Sequence, residues 1–186
     1  MNETRPWLKK YPAGIPANIN PDQYPSLVEL LRETFQKFSH LKAFTCMGQS
    51  LTYHQIDVLS TNYGAYLHSR GLKPGDKIAL MMPNLLQYPI ALFGAVKAGL
   101  IVVNTNPLYT PREMLHQFTD SGAKAIVIAE NFAANLEKII SETAIQTVIL
   151  TSIGEMLGFP KKQIVNFVVR KVKKMVPHYN LSNTVT

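Results

Sequence analysis

From residue 77 onward, short apolar runs alternate with segments that carry helix signals. Each run is four to six residues long and is continuously apolar after at most one polar residue; the runs cover 77–82, 100–103, 125–128 and 147–150. A strand has this pattern when helices cover both of its faces, whereas a half-exposed strand alternates apolar and polar residues. The order of runs and helical segments therefore predicts an α/β fold with a mostly parallel sheet and helices on both faces.

Capping residues and glycines indicate where the helices begin and end. A hydroxyl residue followed three positions later by Glu or Gln is typical of a helix N-terminus, and it occurs at Ser26, Thr52 and Thr110. Glycines that can end a helix in the left-handed conformation occur at 71, 99 and 122. The predicted helices begin at Ser26 and cover about 53–71, 85–98, 111–122 and 132–142, the last one capped by Asn131.

Residues 1–25 contain five of the twelve prolines in the chain. Proline fixes φ and removes a backbone donor, so this part is predicted to be an extended arm that precedes the folded body. Its aromatic residues Trp7, Tyr11 and Tyr24 are expected to dock on that body or on a partner subunit, because exposed aromatic rings lose the benefit of burial.

The remainder of the chain divides into two parts. Residues 26–152 are predicted to form the α/β subdomain, which also contains a hairpin from 43–47 into 50–51. Residues 153–186 are predicted to form a linker and a basic amphipathic helix. The uncharged run 78–96 is not predicted to span a membrane, because two prolines and two polar residues interrupt it.

Composition excludes several classes of function. The chain has one cysteine, Cys46, so it forms no internal disulfide, and it begins without a signal-peptide pattern, which favours a cytoplasmic protein. Its five histidines do not have metal-ligand spacing, so no metal site is predicted. There is no nucleophile elbow, dinucleotide fingerprint or Walker loop; the glycines of 94–99 lack the lysine and hydroxyl residue that must follow.

The net charge of +7 comes from the C-terminal part of the chain. After Glu155 there are six basic residues and no acidic one, whereas residues 1–155 hold thirteen basic and twelve acidic residues. A helix over 162–176 would place apolar residues on one stripe: Ile164, Val165, Val168, Val172, Met175 and Val176. Its basic residues Lys162, Arg170, Lys173 and Lys174 would lie opposite.

Two interpretations of this helix stay open. In the first interpretation, the helix rests on an anionic membrane surface. In the second, it packs on its own protein and exposes a solvated basic face. Nucleic acid is not a predicted partner, because no aromatic residues lie between the charges to stack on bases.

Candidate ligand contacts lie where the predicted strands end. Ligands of open parallel sheets bind outside the carboxyl ends of the strands, and polar residues there are Asn84, Asn104, Thr105 and Asn106. Asparagine and threonine at such positions usually serve as turn and cap residues. No residue of the chain is therefore predicted to be catalytic.

Several segments resemble one enzyme family. Residues 51–56 (Leu-Thr-Tyr-His-Gln-Ile) resemble the first short motif of acyl-adenylate-forming enzymes, with Gln55 in place of the usual Glu, and 97–107 are similar to the second. Residues 71–89 and 106–113 resemble the bacterial long-chain fatty acyl-CoA synthetases. The resemblance implies that the chain is the N-terminal subdomain of the adenylate-forming fold.

The resemblance also implies an activity for a longer parent enzyme. Such an enzyme converts a fatty acid to an acyl-adenylate with ATP and Mg²⁺, and coenzyme A then displaces AMP. The phosphate loop and the other catalytic segments of the family have no counterpart in these 186 residues, so the chain alone is expected to be inactive and to need no cofactor. Its expected partners are the remainder of the synthetase and, through N-terminal segments, a second copy.

Two alternatives of other classes stay open. In the first alternative, the chain is a self-contained α/β module that binds a small molecule at the strand ends. In the second, it is a module for membrane attachment or oligomerisation that uses the arm and the basic helix. The second alternative would add a peripheral location at the inner membrane to the cytoplasmic one.

Overall fold

The computed structural model describes residues 5–182 and 184–185. Its helices are α1 (Leu27–Lys37), α2 (Tyr53–Ser69), α3 (Gln87–Lys97), α4 (Pro111–Ser121), α5 (Ala133–Glu137) and α6 (Lys161–Phe167). Its strands are β1 (Lys42–Cys46), β2 (Gln49–Thr52), β3 (Lys77–Met81), β4 (Ile101–Asn104), β5 (Ala125–Ala129), β6 (Thr147–Thr151) and β7 (Thr184–Val185). Short 3-10 helices lie at Pro6–Lys10, Glu130–Phe132 and Ile140–Glu142, and a π turn at Val168–Val172 continues α6.

The described strands form two sheets. β1 and β2 make the predicted antiparallel hairpin, and the other five strands form a parallel sheet in the order β4-β3-β5-β6-β7. All four predicted strands are present, so the predicted α/β class is confirmed. The short strand β7 was not predicted, because two residues are too few to carry a periodic signal.

Alternate residues of each central strand enter two different cores. In β3, Ile78 and Leu80 pack in a core with residues of α2 and α3, whereas Ala79 and Met81 pack in a core with residues of α4 and α5. Successive side chains of a strand point to opposite faces of the sheet. Helices therefore cover both faces, which is why the sequence of these strands is continuously apolar.

Two of the three predicted capping boxes are complete. The Thr52 and Thr110 side chains each accept from the backbone N–H three residues on, and Gln55 and Glu113 each accept from the backbone N–H of their cap residue. The bond from the Thr110 N–H, with one from its hydroxyl, lowers the pKa of Glu113. Ser26 also caps its helix, but the Glu29 carboxylate pairs with Arg32 instead of bonding back.

The helix predicted over 132–142 is present only in part, as α5. Two 3-10 turns, at Glu130–Phe132 and Ile140–Glu142, flank the five-residue α5. Asn131 does not cap this segment, because its Oδ1 atom accepts no backbone N–H among the described residues, and its side-chain amide donates to the carbonyl of Met175, 3.0 Å away. A capping rule cannot predict a contact between residues this far apart in sequence, because it considers only neighbouring positions.

The arm differs from the prediction in two respects. Pro6 begins a 3-10 turn, so the start of the arm is not extended, because proline at the first position of a helical turn loses no hydrogen bond. Trp7 and Tyr11 are exposed, and only Tyr24 is half-buried. The expected docking on the body is therefore wrong for Trp7 and Tyr11.

Helices α2 and α3 pack against each other at two glycines. A Cβ atom on Gly64 would lie 3.0 Å from the carbonyl oxygen of Gly94, and a Cβ on Gly94 would lie 2.8 Å from the carbonyl oxygen of Ser60. Both distances are shorter than a van der Waals contact. The two helix backbones therefore approach as closely as they do because neither position has a side chain.

The buried hydroxyl of Tyr63 leads to a prediction about the stability of the protein. Neither it nor the hydroxyl of neighbouring Tyr66 has a hydrogen-bond partner among the described residues. Burial, and secondarily the charge of Tyr66, raises the pKa of Tyr63. Tyr63→Phe removes an unsatisfied group, so we expect the free energy of unfolding to rise by about 1 kcal/mol.

The same variant has a pH signature. A raised folded-state pKa stabilises the fold below the ordinary tyrosine pKa of about 10, and this contribution is lost as the pH rises through the folded-state value. Alkaline loss of stability should thus be shallower in Tyr63→Phe, measured by urea unfolding at several pH values. The matched control is Tyr88→Phe, which loses a 2.7 Å bond to Asn104 and should be destabilised. A destabilised Tyr63→Phe variant would contradict the prediction.

Candidate functional site

The four predicted strand-end residues have partners within the chain. The Asn104 side chain accepts from the Tyr88 hydroxyl at 2.7 Å, and the backbone carbonyl of Asn104 accepts from the Gln117 side-chain amide at 3.0 Å. The Asn84 carbonyl lies 3.6 Å from the Sγ atom of Cys46, which donates to it. These contacts connect β4 to α3 and α4 and the hairpin to the β3–α3 loop.

Thr105 and Asn106 stabilise the turn after β4. Thr105 is buried, and its backbone N–H continues the sheet by donating to the Leu80 carbonyl at 3.0 Å. The Asn106 side chain accepts from the N–H of Leu108 at 3.0 Å, which is an Asx turn. These roles are structural, and ligand contact by any of the four residues stays a prediction.

A cleft of about 360 Å³ lies over the carboxyl ends of β5 and β6. It is lined by residues from those strand ends and from the C-terminal segment: Glu130, Leu150, Thr151, Ser152, Glu155, Lys162, Arg170 and Tyr179. Ligands of open parallel sheets bind at such a position. The polar residues of the cleft, together with neighbouring Asn166, are called the strand-end cluster below.

The central contact of the strand-end cluster is an ion pair. Arg170 Nε donates to both carboxylate oxygens of Glu130 at 2.9 Å, and a second guanidinium nitrogen lies 2.8 Å from one of them. The Glu130 side chain is 7% exposed, whereas that of Arg170 is about half exposed. The hydrogen bond to Glu130 raises the pKa of Arg170, and burial, followed by the charge of Glu130, raises that of Tyr179.

A second group of contacts attaches α6 to the loop after β6. The buried Asn166 side chain accepts from the Gly154 N–H at 2.8 Å and donates to the Ser152 hydroxyl at 2.9 Å. Ser152 in turn donates to Glu155, which pairs with Lys162. Burial raises the pKa of Glu155, but hydrogen bonds from Lys162 and Ser152 outweigh it, so this pKa lies below its usual value.

The helical spacing explains why these side chains converge. Lys162, Asn166 and Arg170 are four residues apart, so they lie on one side of the segment formed by α6 and the π turn. This side faces the body. The interpretation in which Lys162 and Arg170 form a solvated basic face directed away from the body is therefore wrong for these two residues, because the Glu155 and Glu130 carboxylates pair with them.

The remaining part of the helix prediction is also revised. The helical segment ends at Val172 and not at 176, and Lys173 and Lys174 are exposed beyond it. Ile164, Val172 and Met175 of the predicted apolar stripe are exposed, whereas Val165, Val168 and Val176 are partly buried. Lipid contact by Lys173 and Lys174 stays a prediction.

The contacts of the strand-end cluster indicate a structural role. Its cations and carboxylates neutralise each other, so it presents no unbalanced positive charge to a phosphate group. Among residues 5–182 and 184–185, no group of three or more His, Cys, Asp or Glu side chains could hold a metal ion. What the arrangement does is hold the C-terminal segment across the ends of β5 and β6.

Sequence analysis missed most of the strand-end cluster. Glu130 follows β5 directly, so the rule that selected the strand-end asparagines would have found it. Ser152 follows β6 in the same way. No local signal identifies Asn166 or Tyr179. The partners of Asn166 lie 12 and 14 residues away in sequence, and Tyr179 is joined in the cleft by Glu130 and by residues of β6, which are farther still.

Among the described residues, no helix is both long and apolar enough to cross a bilayer. This agrees with the interpretation of 78–96 as a strand followed by a buried helix, because the run forms β3 and most of α3.

Known proteins match both the sequence and the fold. The profile of the family described as AMP-binding enzyme matches residues 31–182. A long-chain-fatty-acid–CoA ligase of Salmonella typhimurium is 52% identical over 97% of this chain, and one of Bacillus subtilis is 31% identical over 99%. The chain spans about a third of the length of these curated relatives (32% of each).

Solved structures show the same fold at lower identity. A long-chain-fatty-acid-CoA ligase from Archaeoglobus fulgidus matches with a TM-score of 0.66 and 20% identity, over 84% of this chain and 32% of that one. An anthranilate CoA ligase in complex with anthranoyl-AMP also matches with a TM-score of 0.66, at 21% identity, over 77% of this chain and 28% of that one. The family match covers most of the chain, and the resemblance in its motifs is confirmed: the chain belongs to the AMP-binding enzyme family.

Proposed function

We propose that this chain is the framework part of an ATP-dependent long-chain fatty acid–CoA ligase. The observation that carries the proposal is 52% identity over 97% of the chain to a protein named for that activity. In the proposed reaction, a fatty carboxylate oxygen attacks the α-phosphate of ATP and pyrophosphate leaves. The thiol of coenzyme A then attacks the acyl carbon and releases AMP.

The proposed cofactors of the complete protein are ATP, Mg²⁺ and coenzyme A. The strand-end cluster does not fit a nucleotide phosphate group, because each of its two cations is already paired with a carboxylate. The groups that react are therefore proposed to lie in other parts of the complete protein. The proposed role of these 186 residues is to hold a rigid sheet against those parts.

The proposal predicts a difference between two polypeptides. The complete gene product should form palmitoyl-CoA and AMP from palmitate, ATP and coenzyme A, whereas residues 1–186 alone should form no acyl-adenylate. Trapping the adenylate with hydroxylamine measures the first step in both. ATP-dependent hydroxamate formation by residues 1–186 would contradict the framework role, and absence of acyl-CoA formation by the complete gene product would contradict the ligase assignment.

We also propose a peripheral location at the inner membrane, with the remainder of the ligase and a second copy as further partners. The observation that favours the membrane is the basic C-terminal segment, which has exposed apolar residues and no acidic residue after Glu155. Anionic lipid attracts such a segment. Sedimentation of the complete gene product with phosphatidylglycerol vesicles tests the location.

A further inference from the structure

We infer that apolar side chains on the outer side of α6 enter an anionic lipid surface, and that the lysines beside them hold the segment there. This inference rests on the proposed peripheral location and names the surface responsible. The name outer tail face is used for the exposed apolar residues of this segment: Ile164 and Phe167 lie in α6, and Phe159, Val172 and Met175 lie before and after it, all more than half exposed. The sequence left two arrangements open, and the exposure of Ile164 and Phe167 contradicts the one in which the apolar stripe packs on the body.

The orientation of the segment is determined by its polar contacts. Lys162, Asn166 and Arg170 bind Glu155, Ser152 and Glu130 on the inner side. Ile164 and Phe167 are three residues apart on the other side of α6, and Lys171 continues that side one turn later. Because the polar side is occupied, the apolar side is directed outward.

The outer tail face exposes enough apolar surface to indicate a binding partner. The side chain of Phe167 is 61% exposed and that of Phe159 is 87% exposed. Clustered exposed apolar residues mark sites of protein or membrane contact. The helix is far too short to cross a bilayer, so the geometry fits a segment that lies in the plane of the interface.

The positive charge around the outer tail face indicates an anionic partner. Lys161, Lys171, Lys173 and Lys174 are exposed in the same segment, and the two carboxylates of the cleft, Glu130 and Glu155, are paired on the inner side. Lysine can extend its aliphatic stem over an apolar contact and keep its ammonium group in the headgroup layer. Apolar insertion flanked by lysines matches an anionic phospholipid surface.

The test uses the complete gene product and its Phe167→Ser variant. Partition onto vesicles of phosphatidylcholine with phosphatidylglycerol is measured by sedimentation at roughly 0.1 M and 1 M salt. We expect Phe167→Ser to lower the partition coefficient about tenfold at either salt concentration, because it removes a large apolar side chain. Lys171→Ala should lower it about fivefold at the lower salt concentration only.

The matched control is Leu108→Ser. Leu108 is 80% exposed but lies in the turn between β4 and α4, so its replacement should leave the partition coefficient unchanged. Both serine variants alter exposed positions, and circular dichroism checks that each one is folded. Palmitoyl-CoA formation is measured separately, so that a failure of the ligase assignment is not mistaken for a failure of the lipid contact.

Each outcome decides the inference. A tenfold loss in Phe167→Ser with no loss in Leu108→Ser supports it. Absence of vesicle binding by the unmodified protein overturns both the peripheral location and the inference, and means that other parts of the protein cover this face. Equal binding by Phe167→Ser overturns the inference alone. An oligomer that Phe167→Ser converts to a monomer, with vesicle partition unchanged, assigns the face to a second copy and also overturns it.

Discussion

Arg170→Met should lower the free energy of unfolding by about 3 kcal/mol. The substitution removes the guanidinium that makes three contacts of 2.8–2.9 Å with the Glu130 carboxylate. Glu130 is only 7% exposed, so water cannot replace the lost contacts. The cost is that of leaving a buried charge unpaired, which exceeds the value of an ordinary surface ion pair.

Two further variants separate this explanation from a loss of packing. Glu130→Leu combined with Arg170→Met removes both charges and should recover at least half of the lost stability, since an apolar pair can replace a buried ion pair. Lys171→Met makes the same kind of change at an exposed neighbouring position and should alter stability by less than about 0.5 kcal/mol. Urea unfolding monitored by circular dichroism measures all three. A double variant as unstable as Arg170→Met would refute the unpaired-charge explanation.

Gly94→Ala should also be destabilising, by about 2 kcal/mol. In an exposed helix the same change would stabilise by about 1 kcal/mol, because alanine has the higher helix propensity. Here the new Cβ would lie 2.8 Å from the Ser60 carbonyl oxygen and equally close to the Tyr63 ring. The Tyr63 ring can rotate, but the Ser60 carbonyl belongs to the backbone of α2, so the two helices must separate.

Asn62→Ala is the control for Gly94→Ala. It also gains helix propensity, although less than Gly→Ala does, and it lies on the exposed side of α2, where nothing opposes the new side chain. We therefore expect Asn62→Ala to raise the free energy of unfolding by about 0.5 kcal/mol. The two variants thus differ in the contact between the helices. A Gly94→Ala protein that is at least as stable as the unmodified one would mean that α2 and α3 separate without cost.

Local patterns predicted the elements that local contacts determine. The capping boxes at Thr52 and Thr110 lie within four residues, and both are present as predicted. The segment 132–142 shows where this approach ends. Its composition suits a helix, but Asn131 and Glu130 are engaged by residues at 175 and 170, and the segment divides into 3-10 turns around α5.

The candidate site was predicted less well than the fold. The strand-end rule was applied to three asparagines and Thr105, which stabilise turns and loops. It was not applied to Glu130 and Ser152, which line the cleft above β5 and β6. The rule identifies positions along the chain and cannot identify which strand ends the C-terminal segment will cover. That choice depends on contacts over 14 and 40 residues, such as Asn166 with Ser152 and Arg170 with Glu130.

The sequence by itself determined the order of strands and helices, the double burial of the sheet and the membership of the family, because periodicity, capping and motifs are properties of neighbouring residues. Only the tertiary structure decided which side of the basic segment faces the body. Helical periodicity separates an apolar side from a polar one, but it does not say which of them finds a partner. Three polar residues at four-residue spacing bind two carboxylates and a hydroxyl on the body, and the exposure of Ile164 and Phe167 follows from those bonds.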